Sequence, residues 1–228
     1  MIVSVHIPKT AGVSFGGRLE GAFGSRLLYD YDDWVGLNTA QANLRRVERV
    51  LEARGRREQL IRDYDIIHGH FVADKYAELF PSTHFVAFFR EPCQQLASLY
   101  HFFLRNGGKS NIHPAAKVFH RVRPTLPEFI AEARNVQSMF IGRVPINDFA
   151  VVGVIEKYDD GIALFEDVFR CKLAPERDRF NVNQSQQGGR YDIDNETWRA
   201  VERYCQADIQ LYQTAREMFR RLSTRYQR

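Results

Sequence analysis

The sequence predicts an α/β domain built on a parallel sheet that is flanked by helices, and three observations support this fold class. Short apolar segments alternate along the chain with longer segments whose apolar residues recur every three or four positions, which is the order of β-α-β units. His84–Phe89 is a nearly continuous apolar run, as in a central parallel strand that is buried on both faces. No repeat or linker divides the 228 residues, so a single domain is predicted for 1–228.

The first predicted strand starts at residue 2, where Val3, Val5 and Ile7 alternate with polar residues. Pro8 ends this strand because it has no amide hydrogen to donate to a neighbouring strand. Ser14 has the side chain of a helix N-cap, which predicts that a helix begins there. The apolar face of this helix is predicted to consist of four residues, Phe15, Leu19, Ala22 and Phe23.

The same periodicities predict the remaining elements. Further strands are predicted at 26–31, 65–70, 84–89 and 149–155. Helices are predicted at 39–62 with a break near 55, at 73–80, 93–104 and 126–141, after residue 155 as far as 169, and at 195–222. The apolar side of the helix at 39–62 is marked by Leu44, Val47 and Val50 or Leu51. Two long polar segments, 106–125 and 180–191, are predicted to be loops.

The composition indicates a soluble and mildly basic protein. Lysine and arginine together number 32 against 28 acidic residues, a formal net charge of +4 that suits an anionic ligand. No clustered basic stripe indicates a nucleic-acid polymer as a partner. The widely spaced Cys93, Cys171 and Cys205 predict reduced thiols, as in a cytoplasmic protein. No apolar run approaches the roughly 20 residues that a membrane span needs, so none is predicted.

Functional groups follow three of the predicted strands at the point where each strand ends. Lys9 follows the first strand, His68 and His70 end the third, and Arg90 follows the fourth. Because ligands of open α/β sheets bind beyond the carboxyl ends of the strands, these side chains are expected to surround one ligand. The amides of the first helical turn and the small Gly12 are predicted to form a cradle for an anion beside Lys9.

The segment Ile7-Pro8-Lys9-Thr10-Ala11-Gly12-Val13-Ser14-Phe15 resembles the 5′-phosphosulfate loop of the sulfotransferases that use 3′-phosphoadenosine 5′-phosphosulfate (PAPS). The likeness is to the carbohydrate branch, which includes heparan-sulfate 2-O-sulfotransferase. Val13 stands where that pattern usually carries threonine, so one hydroxyl contact is missing. The resemblance implies a P-loop-like nucleotide-binding fold. It also implies cofactor contacts from Pro8, Lys9, Thr10, Ala11, Gly12, Val13, Ser14 and Phe15.

Two further segments resemble signatures of this family that bind the nucleotide. Phe89-Arg90-Glu91-Pro92 through Ser98-Leu99-Tyr100 resembles the second signature, which implies that Arg90 and Ser98 bind the 3′-phosphate. A guanidinium pairs bidentately with a phosphate, which suits that role. Gln95 occupies the place of the usual second arginine and removes one charge. Phe180-Asn181-Val182-Asn183-Gln184-Ser185 resembles the loop that closes over the nucleotide, which implies contacts from Asn183 and Ser185.

His68-Gly69-His70 matches the H-G-H motif of the 2-O-sulfotransferase branch, where the second histidine deprotonates the acceptor hydroxyl. The resemblance implies that His70 is the catalytic base and that His68 supports it. Two residues apart on an extended chain, the two rings point to the same side. The same geometry suits a metal ion, but no third ligand stands nearby at the spacing of a metal site, and no metal is predicted.

Together these resemblances imply a sulfotransferase that moves a sulfuryl group from PAPS to a hydroxyl, most simply of a carbohydrate, and releases 3′,5′-ADP (PAP). The basic segment around 106–125 is predicted to face an anionic acceptor through Arg105, Lys109, Lys117, Arg121 and Arg123. Two alternatives stay open, a P-loop kinase and a non-catalytic protein that binds nucleotides or polyanions. A bacterial-type cytoplasmic enzyme is expected, the alternative being the excised catalytic domain of a Golgi enzyme.

Overall fold

Five parallel strands form one sheet at the centre of the computed structural model, which describes residues 1–31, 33, 35, 39–80, 82–106, 114–175 and 190–226. The strands are β1 (Ile2–Val5), β2 (Leu27–Asp30), β3 (Ile66–Gly69), β4 (His84–Phe89) and β5 (Phe149–Val154). They pair in the order β2-β3-β1-β4-β5. The predicted α/β class with a parallel sheet is confirmed, and each strand lies where the periodicity predicts one.

Helices flank this sheet. They are α1 (Gly12–Phe23), α2 (Ala40–Gly55), α3 (Arg57–Asp63), α4 (Asp74–Ala77), α5 (Pro92–Asn106), α6 (Pro114–Val122), α7 (Leu126–Glu132), α8 (Val136–Ile141), α9 (Tyr158–Phe169), α10 (Asn195–Tyr204) and α11 (Gln206–Tyr226). Both α9 and α11 pack against the edge strand β5. Within the described ranges no helix combines the length and the apolar character that crossing a bilayer requires. Cys93, Cys171 and Cys205 are free thiols, as predicted.

The first helix begins earlier than the sequence predicts, so the assignment of Ser14 as its N-cap is wrong. Lys9 and Ala11 adopt left-handed conformations, with φ of 67° and 57°, and turn the chain so that α1 starts at Gly12 with Ala11 as its N-cap. No described side chain caps this end. Phe15 is buried as predicted, whereas Ala22 is exposed.

Two predicted helices are each divided in two. The segment 195–222 forms α10 and α11, because Cys205 leaves the helical conformation between them with a φ of −120°. The segment 126–141 forms α7 and α8, which are separated by the left-handed Asn135. The Asn135 side chain accepts a hydrogen bond from the Asp208 amide over 3.2 Å, so the start of α8 is tied to the start of α11.

The segment 106–125 contains the helix α6, where the sequence predicts a loop throughout. Phe119 of α6 is buried, and the centroid of its ring lies 5.6 Å from those of both Phe103 and Phe129. This aromatic contact, on the apolar face of a short amphipathic helix, outweighs the flanking prolines and basic residues that predict a loop. Residues 107–113 lie outside the described ranges.

The helix predicted at 39–62 is present as α2 and α3, but its apolar stripe is not buried. Leu44, Val47 and Leu51 are 60%, 55% and 58% exposed. Contact with β2 comes instead from Arg49, whose guanidinium lies 3.5 Å from a carboxylate oxygen of Asp30. Periodicity therefore predicts the helix correctly, while the buried face depends on neighbours that the local pattern does not specify.

The strand order places the ends of β1 and β4 at a point where the chain connections diverge. The connection that begins with α1 leads from β1 to β2 on one side, and the connection that begins with α5 leads from β4 to β5 on the other. Crevices of this kind, beyond the carboxyl ends of the strands, are the usual ligand sites of open parallel sheets. The residues that follow β1, β3 and β4 lie at this edge.

The strand register aligns polar side chains of three neighbouring strands. Ser4 of β1 and Tyr29 of β2 both pair with His68 of β3. The pairing continues beyond β1, because the His6 amide donates a hydrogen bond to the Gly69 carbonyl over 2.8 Å. Side chains two residues further along each strand form a second row on the same face of the sheet, which consists of His6, Tyr31 and His70.

Substitution of Gly69 by alanine is expected to destabilise the protein strongly. A Cβ atom at Gly69 would lie 1.6 Å from the carbonyl oxygen of Asp30, its partner on β2. Because that oxygen belongs to the backbone of the ladder, we expect the free energy of unfolding to fall by about 3 kcal/mol or more. Thermal denaturation should show a melting temperature lower by roughly 6–12 °C.

Gly17→Ala is the matched control for this substitution. A Cβ atom at Gly17 would meet nothing within 4 Å, and the residue lies inside α1. Alanine is the better helix former, so stability should rise by about 0.5–1 kcal/mol. If Gly69→Ala melted like the wild-type protein, the close pairing of β2 with β3 at this position would be wrong.

Candidate functional site

The turn after β1 is fixed by hydrogen bonds to its carbonyl groups. The Thr10 hydroxyl donates to the Ile7 carbonyl over 2.8 Å, and Gln95 Nε2 of α5 donates to the Pro8 carbonyl over 3.0 Å. The Phe15 amide donates the first hydrogen bond of α1. The amides that precede it come before the helical ladder and face the turn, where they favour a bound anion.

Gly12 lies directly against the ring of His6. A Cβ atom at Gly12 would lie 1.9 Å from His6 Cδ2, so no larger residue fits unless the ring moves. The Gly12 carbonyl also accepts a hydrogen bond from His68 Nε2 over 3.0 Å. The absence of a side chain at Gly12 is therefore required by the ring of His6.

Lys9 is the cation of the turn. Its Nζ lies 4.6 Å from the ring centroid of Phe102 on α5, which is a cation–π distance. Arg90 Nη1 donates to the Lys9 carbonyl over 3.4 Å, so the two basic residues adjoin. Burial, and then the positive charges of Arg105 and Arg90, lower the pKa of Lys9 to about 8. In the described part of the chain no carboxylate forms a salt bridge with Lys9 or Arg90.

One face of α5 borders the turn. Gln95 contacts the Pro8 carbonyl, and Phe102 contacts the Lys9 ammonium. Ser98 lies between Gln95 and Phe102 on the same helical face, because residues three and four apart are neighbours on a helix. Ser98 is buried, with 6% of its surface exposed. Gln95 thus supports the turn through its side-chain amide and adds no charge there.

Arg90 directly follows β4, and its side chain is half-buried. Burial lowers the pKa of Arg90. The neighbouring Glu91 is not its partner, since the Glu91 carboxylate accepts hydrogen bonds from the Cys93 and Gln94 amides over 3.0 Å and 2.8 Å. Glu91 thus caps the first turn of α5, and the guanidinium of Arg90 stays on the side of Lys9.

His68 is fully buried, and both of its ring nitrogens are hydrogen-bonded. Nε2 donates to the Gly12 carbonyl, so Nδ1 is the acceptor and receives a hydrogen bond from the Ser4 hydroxyl over 2.8 Å. Burial lowers the pKa of His68 to about 3, and the ring is neutral at physiological pH. His68 connects β1, β3 and the start of α1, and its assignment as the support of His70 stays a prediction.

His70 is half-buried at the carboxyl edge of the sheet. Its Nδ1 donates to the His6 carbonyl over 2.5 Å, which fixes the tautomer and leaves the lone pair of the neutral ring on Nε2. The ring stacks on His6 with centroids 4.2 Å apart, and the ring of Tyr31 lies perpendicular to it at 4.8 Å. An imidazole that is oriented through Nδ1 in this way is suited to accept a proton at Nε2.

His6 and Tyr31 belong to this site, although sequence analysis does not single them out. His6 lies between His68 and His70 with ring centroids 5.2 Å and 4.2 Å away, and its Nδ1 is hydrogen-bonded to the Tyr31 hydroxyl at 2.9 Å. Burial, and then the charges of His70, His68 and Lys9, hold the pKa of His6 well below its ordinary value. The only indication in the sequence is that His6 stands shortly before the turn. That His6 lies in one row with Tyr31 and His70 follows only from the strand register.

Among the described residues no three histidine, cysteine or carboxylate side chains are grouped to hold a metal ion.

The structure brings Lys9, His70 and Arg90 to one edge of the sheet, where the sequence predicts that they meet. The Phe15 side chain lies in the core, and its amide is used by α1, so its place is in the packing of the turn. Of the basic residues that are predicted to face an acceptor, Lys117, Arg121 and Arg123 are exposed on or just after α6. Three predicted contact residues, Lys109, Asn183 and Ser185, lie outside the described residues.

The turn before α1, the adjoining basic residues Lys9 and Arg90 and the oriented imidazole of His70 thus lie at one edge of the sheet. Such an arrangement can bind a ligand that carries phosphate or sulfate and can accept a proton from a second substrate. Comparison of the chain with models of protein families, with curated proteins and with solved structures gives no match.

Proposed function

We propose that this protein is a PAPS-dependent sulfotransferase that transfers a sulfuryl group to a hydroxyl of an acceptor, in the first place a carbohydrate. The observation that carries the proposal is the pair of adjoining cations, Lys9 and Arg90, which have no salt-bridge partner among the described residues. Two partly buried positive charges are unfavourable side by side unless an anion joins them. A nucleotide with anionic groups at both its 5′ and 3′ positions supplies one anionic group for Lys9 and one for Arg90.

The donor side of the proposed site lies between β1 and β4. Lys9 and the amides from Thr10 to Ser14 bind the 5′-phosphosulfate, while Arg90 and Ser98 bind the 3′-phosphate of the same nucleotide. The strand order and the left-handed turn before α1 support the P-loop-like nucleotide-binding fold that this assignment includes. Thr10 acts through its amide, because its hydroxyl is bonded to the Ile7 carbonyl.

Transfer is proposed to be an in-line displacement at sulfur. The acceptor oxygen forms a bond to sulfur as the bond between sulfur and the bridging phosphate oxygen breaks. The acceptor proton goes to His70 Nε2, and the electron pair of the broken bond goes to the 5′-phosphate of the departing PAP. Lys9 neutralises the negative charge that grows on this phosphate, so positioning and charge stabilisation supply most of the rate, as in phosphoryl transfer.

The contacts of Asp30 favour this function over that of a P-loop kinase. A kinase of that type holds Mg²⁺ through an acidic residue at a strand end. Asp30 ends β2, but its Oδ2 accepts hydrogen bonds from Lys75 Nζ over 2.6 Å and from the Tyr76 hydroxyl over 2.7 Å. The buried carboxylate is therefore neutralised within the protein. A non-catalytic nucleotide binder, the other alternative, would retain Lys9 and Arg90 but would not depend on His70.

Calorimetric titration with 3′,5′-ADP, and separately with ATP and Mg²⁺, tests the class of nucleotide. We expect 3′,5′-ADP to bind at least about tenfold more tightly, because Arg90 and Ser98 contact a 3′-phosphate that ATP lacks. Tighter binding of ATP would overturn the proposal in favour of a kinase. Incubation with PAPS and oligosaccharide acceptors should then yield a sulfated product, whereas binding without transfer would support the non-catalytic alternative.

A further inference from the structure

We propose that Gln137 and Asp208 are positioning residues that hold Arg90 in place for the 3′-phosphate of the nucleotide. The inference rests on the proposed function, in which Arg90 binds that phosphate. Neither residue lies near Arg90 in the sequence, since Gln137 belongs to α8 and Asp208 to the first turn of α11. Their connection to the site runs through buried hydrogen bonds.

The side chain of Gln137 forms hydrogen bonds with both the backbone amide and the backbone carbonyl of Arg90. The Arg90 amide donates to Gln137 Oε1 over 3.0 Å, and Gln137 Nε2 donates to the Arg90 carbonyl over 2.9 Å. Arg90 comes directly after β4, whose last paired residue on the β5 side is Phe89 with Val154. The side-chain amide of Gln137 thus satisfies both main-chain polar groups of Arg90 just beyond the last paired residue of β4.

Gln137 is completely buried, and its own position is fixed by Asp208. The Asp208 carboxylate accepts a hydrogen bond from the backbone amide of Gln137 over 3.0 Å. It also accepts hydrogen bonds from the backbone amide and the hydroxyl of Ser138 over 2.7 Å each. In return, the Asp208 amide donates to the Asn135 side chain. The first residues of α8 and α11 are therefore held together by reciprocal hydrogen bonds. The Gln137 side chain extends from this first turn of α8 to Arg90.

This chain of contacts ends at the nucleotide site. The guanidinium of Arg90 reaches the Lys9 carbonyl over 3.4 Å, so the placement of its main chain decides where the guanidinium lies relative to the turn. A bidentate contact between guanidinium and phosphate tolerates little displacement. Loss of the side-chain amide of Gln137 would leave the backbone amide and carbonyl of Arg90 without these hydrogen-bond partners. The backbone of Arg90 would then move to form other hydrogen bonds. Affinity for the 3′-phosphate should then fall.

The test compares binding of 3′,5′-ADP and 5′-AMP, which differ only in the 3′-phosphate. Gln137→Met keeps the size of the side chain and removes both hydrogen bonds to Arg90. We expect affinity for 3′,5′-ADP to fall by about tenfold to hundredfold, while affinity for 5′-AMP changes by less than about twofold. If this variant does not fold, Gln137→Asn keeps the amide but is one methylene shorter, and it should show the same selective loss.

A double-substitution cycle with Arg90→Met separates positioning from general destabilisation. If Gln137 acts through Arg90, adding Gln137→Met to Arg90→Met should cost no further affinity for 3′,5′-ADP. Leu60→Ala is the control, because it removes buried volume in α3 and should lower the melting temperature without changing the ratio of the two affinities.

Two results would overturn the inference: an equal loss of affinity for both nucleotides in Gln137→Met, or losses that simply add in the double variant. A wild-type protein that binds 5′-AMP as tightly as 3′,5′-ADP would instead overturn the proposed function, on which the inference rests. The wild-type titration therefore comes first and distinguishes the two kinds of failure.

Discussion

Lys9→Ala is expected to lower the rate of sulfuryl transfer by about 10²–10³-fold, because in the proposed mechanism its ammonium neutralises the charge that grows on the leaving phosphate. Affinity for 3′,5′-ADP should fall as well, by about tenfold or more, since in the proposed complex the lysine contacts the same phosphate of the product. Steady-state transfer from PAPS and calorimetry with 3′,5′-ADP measure the two effects. Lys157→Ala is the control, because this lysine is exposed and pairs at the surface with Asp160 at 3.7 Å. Unchanged turnover in Lys9→Ala would refute the role of Lys9.

The pH dependence of nucleotide binding gives an independent measurement on the same residue. With a pKa of about 8, Lys9 loses its proton in the free protein as the pH rises through that value. A bound phosphate favours the protonated form and raises the pKa of Lys9 in the complex, so affinity for 3′,5′-ADP should fall from about pH 7.5 to about pH 9.5. Binding in this range should take up a proton, which titrations in buffers of different ionisation enthalpy detect. The proton uptake should be lost in Lys9→Ala.

His70→Ala is expected to lower the rate of transfer by about 10²–10⁴-fold while affinity for 3′,5′-ADP is nearly unchanged. The reason for this separation is that, in the proposed mechanism, His70 contacts the acceptor, whereas Lys9 and Arg90 contact the nucleotide. Transfer from PAPS to the best oligosaccharide acceptor gives the rate, and calorimetry gives the affinity. Intact transfer in this variant would remove the proposed base.

A second substitution at the same position distinguishes a base from a structural residue. His70→Asn retains a donor for the His6 carbonyl, which accepts the Nδ1–H of His70, but it has no group that takes a proton near neutral pH. If His70 is the base, the asparagine variant should be as slow as the alanine variant. Recovery of transfer with asparagine would show that only the hydrogen bond matters. His84→Ala, at the exposed amino end of β4, should transfer at the wild-type rate.

The elements that the sequence predicts well are those whose signal is local. Alternation and apolar runs locate the strands, and the groups that end them, Lys9, His70 and Arg90, follow from the rule that parallel strands share a carboxyl edge. Helical periodicity likewise locates α2. It does not reveal that Leu44 and Val47 face outward, because burial depends on whether another element covers that face.

The features that sequence analysis misses depend on backbone conformation or on pairing between distant segments. The start of α1 at Gly12 follows from positive φ angles at Lys9 and Ala11, for which an ordinary lysine and alanine give no warning. The contribution of His6 requires the register of β1 on β3, and that of Tyr31 requires the register of β2. Parallel pairing is not encoded in either strand alone.

The position of His6 has a consequence for the proposed transfer between two substrates. The same residue presses its ring against Gly12 of the anion-binding turn and offers its carbonyl to the ring of His70. In the proposed mechanism, the donor side and the acceptor side are therefore both held by His6, and a displacement of this residue would affect both. Substitutions that change the acceptor without affecting the donor are then expected away from His6, as on the outer surface of α6.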